Sequence, residues 1–406
     1  MYDVIVVGGG AAGLMAAGTA AGKYKNVGIV EKNSRLGKKI LITGKGRCNV
    51  TNAADISDFF PQIFRNGNFM YSAFYSFTNE DTMALFRELG VPLKIERGQR
   101  VFPESDRAGD IAGALKRYCQ RGNVQFISGT VKSLFIREGR CQGVCLSDNN
   151  ILEAHKVIVA TGGVSYPLTG STGDGYRLAR QAGHSVVPPK PALVPLELKE
   201  AEVKELQGLS LKNVSLKVID SEREKAVYED FGEMLFTHFG ISGPLVISAS
   251  SHIKEQGSYR IVIDLKPALT EQQLEKRLLR DFEKFQNKDF KNSLNELLPK
   301  KMISVIIKNS GIHPDTKINQ ITKEQRKTLI SVLKGFTFTY KKKRPIEEAI
   351  ITDGGINVKE INPSTMESKL LPNLFFAGEV LDVCGYTGGF NLQVAFSTGH
   401  LAGENV

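Results

Sequence analysis

Val4-Ile5-Val6-Val7-Gly8-Gly9-Gly10-Ala11-Ala12-Gly13 lies at the start of the chain, and Val27-Gly28-Ile29-Val30-Glu31 follows soon after. The first stretch reads as an apolar strand that runs into a Gly8-x-Gly10-x-x-Gly13 turn. An Ala-rich helix is expected over about 11–22 and a second strand over 27–31, which makes a βαβ start. In that context Gly8 permits the tight turn, Gly10 lets backbone approach a pyrophosphate, and Gly13 lets the helix pack close to the strand. The first helical turn, with Ala11 and Ala12, turns its free N–H groups and positive dipole end toward the phosphates. Glu31 ends the second strand, 18 residues after Gly13, where a carboxylate can accept from ribose hydroxyls; Lys32 adjoins it. The motif predicts a dinucleotide and does not by itself separate FAD from NAD.

The far end of the chain carries a matching half. Leu374-Phe375-Phe376-Ala377-Gly378-Glu379 is an apolar strand ending in glycine and an acid, followed by Gly388-Gly389-Phe390-Asn391-Leu392 at the start of a last helix. An acid in that place can bond a ribityl chain. A helix N-terminus there can stabilise negative charge on a reduced flavin. Between the ends, Val157-Ile158-Val159-Ala160-Thr161-Gly162-Gly163 is another apolar strand whose small terminal residues let the chain pass close to a dinucleotide. Val131, on an earlier short strand, is counted with these contacts. Residues 37–52 hold three glycines and read as a flavin clamp: Lys39 and Arg47 for phosphate charge, Gly44 and Gly46 for close approach, with Cys48 and Asn49 beside them.

At 406 residues the chain exceeds one ordinary core. Hydrophobic content of 41% and charged content of 24% fit a folded globular protein. No apolar run approaches ~18 residues, so no membrane span is expected. The N-terminus enters a strand without a basic leader, and five scattered cysteines form no Cys-x-x-Cys pair. Neither a disulfide framework nor a metal site is expected, and a reducing cytoplasm is the expected location. The net charge of +10 is uneven: residues 254–344 contain 21 Lys/Arg against 10 Asp/Glu, a net +11, and the remainder contains 32 against 33, a net −1. A solvated helical face explains this, so nucleic acid is not the expected partner. An anionic substrate, an acidic surface and nucleic acid are the functional alternatives.

The expected fold class is α/β: a Rossmann-like, glutathione-reductase-like FAD-binding domain interrupted by a β-rich domain and a helical insertion. Residues 1–190 and 345–406 form the two parts of the FAD-binding domain. Residues 191–268 with 335–344 form the β-rich insert, and 269–334 the helical insert. Pro188-Pro189-Lys190-Pro191 and Lys341-Lys342-Lys343-Arg344-Pro345 read as the junctions. Ser242-Gly243-Pro244 reads as a helix start with Ser242 as N-cap. Helices are expected near 270–286, 293–309 and 322–333.

Taken together, Gly37–Asn52, Ala160–Gly163, Ser171–Gly175, Gly232–Pro244 and Gly378–Gln393 resemble one bacterial flavoprotein family. It includes aminoacetone oxidase-like FAD enzymes and bile-acid dehydro-intermediate reductases. The resemblance covers essentially the whole chain and implies non-covalent FAD. Cys384 departs from it, since Asp or Thr is more usual there. The expected activity is an FAD-dependent oxidoreductase that moves a hydride between flavin N5 and a small organic substrate held between domain and insertion. It would be an NAD(P)H-linked reductase of an activated C=C, or an amine oxidase. No second Gly-x-Gly-x-x-Gly marks a separate NAD domain, so NAD(P)H would be a transient co-substrate. A flavin-dependent tRNA-modifying protein is the alternative, resting on the +11 segment, and a non-catalytic flavin module is a third reading. The catalytic candidates are His238, Tyr386 and Cys384, with Tyr166 and Arg344 behind them; a packed histidine and an anchoring arginine are the structural alternatives.

Overall fold

A computed structural model describes residues 1–254 and 256–406. The chain divides into two compact units, Met1–Pro191 with Ile346–Val406, and Ala192–Pro345.

In the first unit, five strands run parallel in the order Gln125–Ser128, Val27–Glu31, Tyr2–Val7, Ile151–Val159, Leu374–Phe376. Val4 to Val7, Val157 to Val159 and Leu374 to Phe376 are buried, as strands covered on both faces must be. The nine-residue strand Ile151–Val159 has two neighbours on one side. Its first half continues the antiparallel meander of Val131–Arg137 and Arg140–Leu146, and its last three residues pair with Leu374–Phe376. The last strand of the chain therefore joins, as its end member, the parallel sheet that the first strand began.

Helix Phe390–Asn405 packs against helix Ala11–Ala20. A Cβ at Gly399 would lie 2.5 Å from the Ala12 carbonyl oxygen, and one at Gly403 2.6 Å from that of Ala16. Only glycine lets these backbones meet. The same helix carries Gln393, fully buried. Its Oε1 accepts from Thr51 and Thr82 at 2.7 and 2.9 Å, and its Nε2 donates to Phe77 O and Ser397 Oγ at 3.1 and 3.0 Å. All four of its bonding positions are filled.

The second unit is a closed six-stranded barrel: Leu196–Leu198, Gly240–Ser242, Lys225–Phe236, Ser210–Asp220, Tyr259–Asp264 and Phe336–Lys343, returning to Leu196–Leu198. Helices Glu271–Lys284, Lys300–Ser310 and Lys323–Lys334 connect its fifth and sixth strands and share one apolar core with it, through Leu274, Leu278, Met302, Ile306, Leu329 and Leu333. Capping boxes at Thr270–Gln273 and Thr322–Gln325 fix two of the helix starts.

Several sequence expectations are corrected. The proline run at the junction is itself strand: Val186–Ala192 forms a two-stranded sheet with Ile351–Ile356, where missing N–H groups are tolerated at an edge. Lys341 to Lys343 complete a barrel strand, with Lys342 opposite Glu197. Ser242 ends a strand, and Gly243 (φ +97°) caps the helix, because the chain turns there through a left-handed conformation. Residues 293–299 precede the middle helix, which Pro299 opens. The twelve-residue strand Lys225–Phe236 was not expected; its alternation is broken by charged and glycine positions. No described helix is long and apolar enough to cross a membrane.

Gln393→Leu should lower stability by about 3 kcal/mol in urea unfolding, because its four partners lose their bonds inside the core. A change within about 0.5 kcal/mol would show that the network contributes nothing net.

Candidate functional site

The turn after the first strand is closed on two sides and open on the third. Gly8 has φ +103°, and a Cβ there would lie 2.7 Å from Ala160 O. A Cβ at Gly13 would run into Gly8 O. At Gly10, by contrast, nothing lies within 4 Å of a Cβ position, and the residue caps helix Ala11–Ala20 without any side-chain bond. Open space beside uncapped helix N–H groups is where a pyrophosphate fits. Glu31 is held at the rim: Oε2 accepts from Gly9 N at 2.7 Å and Oε1 from Asn33 N at 2.8 Å. Lys32 is turned aside to Asp174 and Thr172.

One carboxylate gathers four distant segments. Glu379 Oε2 accepts from Lys39 Nζ at 2.6 Å, and Oε1 from Thr352 N and Ser165 Oγ, both at 2.9 Å. Lys39 also donates to Ser165 Oγ at 2.6 Å, and Thr352 Oγ1 accepts from Val164 N and Ser165 N. The Lys39–Glu379 pair is only about one-fifth exposed (23% and 21%), so water screens it less than a surface pair. Gly378 (φ +79°) places Glu379, with its Cβ position 2.7 Å from Ala12 Cβ.

The clamp turns through Gly44, Gly46 and Cys48, all with positive φ. Arg47 is committed within it, paired with Glu96 and Asp106 and lying over the Phe102 ring at 4.2 Å. Those carboxylates raise its pKa further, the Glu96 bond contributing most. Beyond Ala160, the turn passes through Gly162 (φ +73°) to Gly163, packed on Thr352. Val131 is a buried core residue whose carbonyl accepts from Arg177 at 2.9 Å. Gly389 (φ +102°) caps helix Phe390–Asn405 with no side-chain bond. Phe390 is buried and Leu392 half-buried. Asn391 ties the preceding loop by accepting from Gly385 N at 2.9 Å and donating to Gly385 O at 2.7 Å.

Among the described residues, seven buried side-chain polar atoms have no hydrogen-bond partner, and four of them belong to or adjoin these segments: Asn49 Oδ1, Thr161 Oγ1, Tyr176 OH and Asp353 Oδ1, the last 3.8 Å from Arg65 Nε. Buried polar atoms are normally bonded, so this concentration fits a region that receives a polar ligand or ordered water. Together with the open cradle at Gly10, it fits an FAD extended from the Gly8–Gly13 turn toward Gly389.

The catalytic candidates separate. Cys384 and Tyr386 lie in the loop that leads to Gly389. Cys384 is buried and donates to Thr352 O at 3.0 Å; burial pushes its pKa well up, so it is a thiol and not a thiolate at neutral pH. Burial likewise pushes Cys48 to about 12. Tyr386 is anchored by its N–H to Gln62 O at 2.8 Å, with its ring 5.0 Å from Phe64. His238 belongs to the barrel unit, in an exposed turn between two strands, edge-on to Phe239 at 5.0 Å. Arg344 lies over Phe239 at 4.3 Å and bonds Glu197 at 2.7 Å, which anchors the end of a barrel strand. Ser165 and Thr352 were not singled out in the sequence. Gly354-Gly355 was the available signal for the second of them: both take positive φ, marking a close backbone approach beside Thr352.

The parallel sheet and the glycine-turned cradle at the ends of its strands define a dinucleotide-binding flavoprotein of the glutathione-reductase-like class. Residues 2–405 match the model of the HI0933-like protein Rossmann domain, and the chain belongs to that family of FAD-dependent oxidoreductases. It is 33% identical to the 3-dehydro-bile acid delta(4,6)-reductase of Clostridium scindens, over 100% of this chain and 98% of that protein. It is 32% identical to the ribosomal RNA dihydrouridine synthase of Escherichia coli and 34% identical to that of Haemophilus influenzae, each over 98% of this chain and 96% of the relative. A 3-ketosteroid-delta4-(5alpha)-dehydrogenase from Rhodococcus jostii shares the fold at a TM-score of 0.52 and 14% identity, over 99% of this chain and 96% of that one.

Gly10→Asp tests the cradle. Its backbone is extended (φ −84°, ψ −167°), which any residue adopts, and aspartate is a favoured N-cap. The variant should fold with unchanged or slightly raised stability and lose FAD affinity more than about 100-fold, as its carboxylate takes the phosphate's place. Unchanged FAD binding would remove the pyrophosphate from this turn.

Proposed function

We propose that this chain is a reductase that delivers a hydride to a carbon–carbon double bond conjugated with a carbonyl. The observation that carries this is a shared chemistry across full-length relatives. The delta-4 and delta-6 double bonds of a 3-dehydro bile acid are conjugated with the 3-oxo group, and dihydrouridine arises by saturating the uracil double bond that is conjugated to a ring carbonyl. The step proposed for this chain places hydride on the β-carbon and a proton on the α-carbon.

FAD, when bound, would supply hydride chemistry, with a transiently docking NAD(P)H as its source. The chain's residues hold and bias the site. Glu31 takes the ribose, the N–H groups after Gly10 take the pyrophosphate, and Glu379, braced by Lys39, takes the ribityl hydroxyls. The uncapped N-terminus after Gly389 stabilises negative charge at the ring edge. Tyr386 is assigned the proton for the α-carbon. Cys384, held as a buried thiol bonded to Thr352 O, positions the loop and does not attack.

A second reading makes the substrate a uracil ring within RNA. Residues 192–345 contain 27 Lys/Arg against 20 Asp/Glu. Lys300 and Lys301 occupy the first turn of helix Lys300–Ser310, which has no acidic residue there, the reverse of what the helix dipole favours. An anionic partner relieves that conflict, and two of the relatives are ribosomal RNA dihydrouridine synthases.

Anaerobic mixing with NADH or NADPH should bleach the visible flavin band, and an enone or uracil-containing RNA should restore it. Oxygen uptake with aminoacetone and no reduction by either nicotinamide would overturn the reductase reading in favour of an amine oxidase. For the RNA reading, ribosomal RNA from cells lacking the protein should contain less dihydrouridine. Lys300→Glu with Lys301→Glu should weaken RNA binding and flatten its salt dependence. Unchanged dihydrouridine would exclude RNA and leave a small enone as substrate.

A further inference from the structure

Three segments behind strand Leu374–Phe376 meet at one histidine. His184, just past helix Asp174–Gln181, is buried. Its Nδ1 lies 3.1 Å from Glu360 Oε2, and its Nε2 2.7 Å from Ser368 Oγ. Glu360 also accepts from Ser185 N at 2.9 Å and Ser185 Oγ at 2.6 Å. Serine, histidine and carboxylate stand at the distances of a hydrolytic relay. The serine's surroundings exclude that use. Ser368 is buried, and its Oγ accepts from Leu370 N at 3.1 Å and Leu371 N at 2.9 Å. A hydroxyl oxygen has two lone pairs, so both are taken. What remains is its O–H, which donates to His184 Nε2. The imidazole therefore carries its proton on Nδ1 and gives it to Glu360.

This cluster is tied to the strand that carries the flavin-site acid. Ser368 N donates to Leu374 O at 2.7 Å, and Phe376 N to Met366 O at 3.1 Å, so residues 366–368 line that strand. The Phe376 ring stands edge-on to His184 at 5.0 Å. Three residues beyond Phe376 is Glu379, with its bond to Lys39.

We propose that Ser368, His184 and Glu360 form a latch that positions Gly378-Glu379 for FAD and opens when His184 is protonated. An imidazolium has two donors. Nδ1–H keeps Glu360, but Nε2–H would face an oxygen with no lone pair left, inside the protein, which is an unmet donor. Burial already lowers the His184 pKa, outweighing the opposing pull of Glu360. A folded pKa below the unfolded one means the latch is intact above about 6.5 and is lost as pH falls below that. Glu360 is the charged group that bonds the imidazole. Lys359, Glu367 and Lys369 lie on the same segments, with Glu367 held by Asn373 N and Lys369 by Lys359 O. Residues 183–185 and strand Leu374–Phe376 add no charged side chain. The inference rests on FAD as cofactor and is independent of the reaction proposed above.

The test is FAD binding to apoprotein, followed by flavin fluorescence between about pH 7.5 and 5.5. Wild type should lose affinity about tenfold across that range, one logarithmic unit for one proton. His184→Gln should be flat across it, and His155→Gln, at an exposed histidine of strand Ile151–Val159, should keep the wild-type slope. Imidazole nitrogen NMR should show the Nδ1–H tautomer. Equal slopes in wild type and His184→Gln, or an Nε2–H tautomer, would overturn the latch. Should His184→Gln fail to fold, Ser368→Ala serves: without the filled oxygen, FAD loss should shift to higher pH, and an unmoved midpoint would also overturn it. Labelling of Ser368 by a fluorophosphonate would show a free lone pair and do the same.

Discussion

Helix Ala11–Ala20 and helix Phe390–Asn405 meet backbone to backbone, and the cofactor cradle depends on that contact. Gly399 and Gly403 stand over the carbonyls of Ala12 and Ala16, so the first helix after the glycine turn is braced by the last helix of the chain. The approach leaves no room for a methyl group. It also sets Gly378 against Ala12, which places Glu379 beside the clamp loop. Sheet pairing of Leu374–Phe376 with Val157–Val159 fixes the same end from below. Ends about 370 residues apart in sequence thus form one side of one site.

Packing brings the segments close, and electrostatics gives them a fixed arrangement. Lys39, Ser165, Thr352 and Glu379 come from four separate stretches and share one half-buried bonding network. The Coulombic part of such a pair grows as water is excluded, and the Thr352 and Ser165 donors satisfy the rest of the carboxylate. Arg47 follows a different course: its charge is spent on Glu96 and Asp106, which brace the hairpin beneath the clamp. In the proposed FAD site the phosphate charge would fall to the helix N-terminus and its free N–H groups.

What the sequence made legible follows from how local the signal is. The Gly8–Gly13 turn, the strand 374–376 and the glycine cap at 389 each depend on neighbours within a few residues, and glycine spacing records them directly. Strand 225–236 was hidden because its charged residues and Gly232 break the alternation. The strand through the proline run 188–191 was hidden because a single sequence does not show that it lies at an edge. Ser165, Thr352 and the His184 cluster were invisible for a deeper reason. Their meaning lies in partners up to 214 positions away, and a lone serine or threonine carries no trace of them. The charge asymmetry of residues 254–344 is legible by counting, whereas composition alone carries no choice between a solvated face and an anionic partner.

Gly399→Val tests the account most directly, because it separates the two helices at the Ala12 carbonyl and leaves every side chain assigned to FAD unchanged. Isothermal titration of apoprotein with FAD should give one FAD per chain for wild type. For the variant it should give a stoichiometry well below one or an affinity reduced more than about tenfold, while circular dichroism still reports a folded chain. Full stoichiometry and unchanged affinity in a folded Gly399→Val protein would contradict the claim that the meeting of the two ends makes the site.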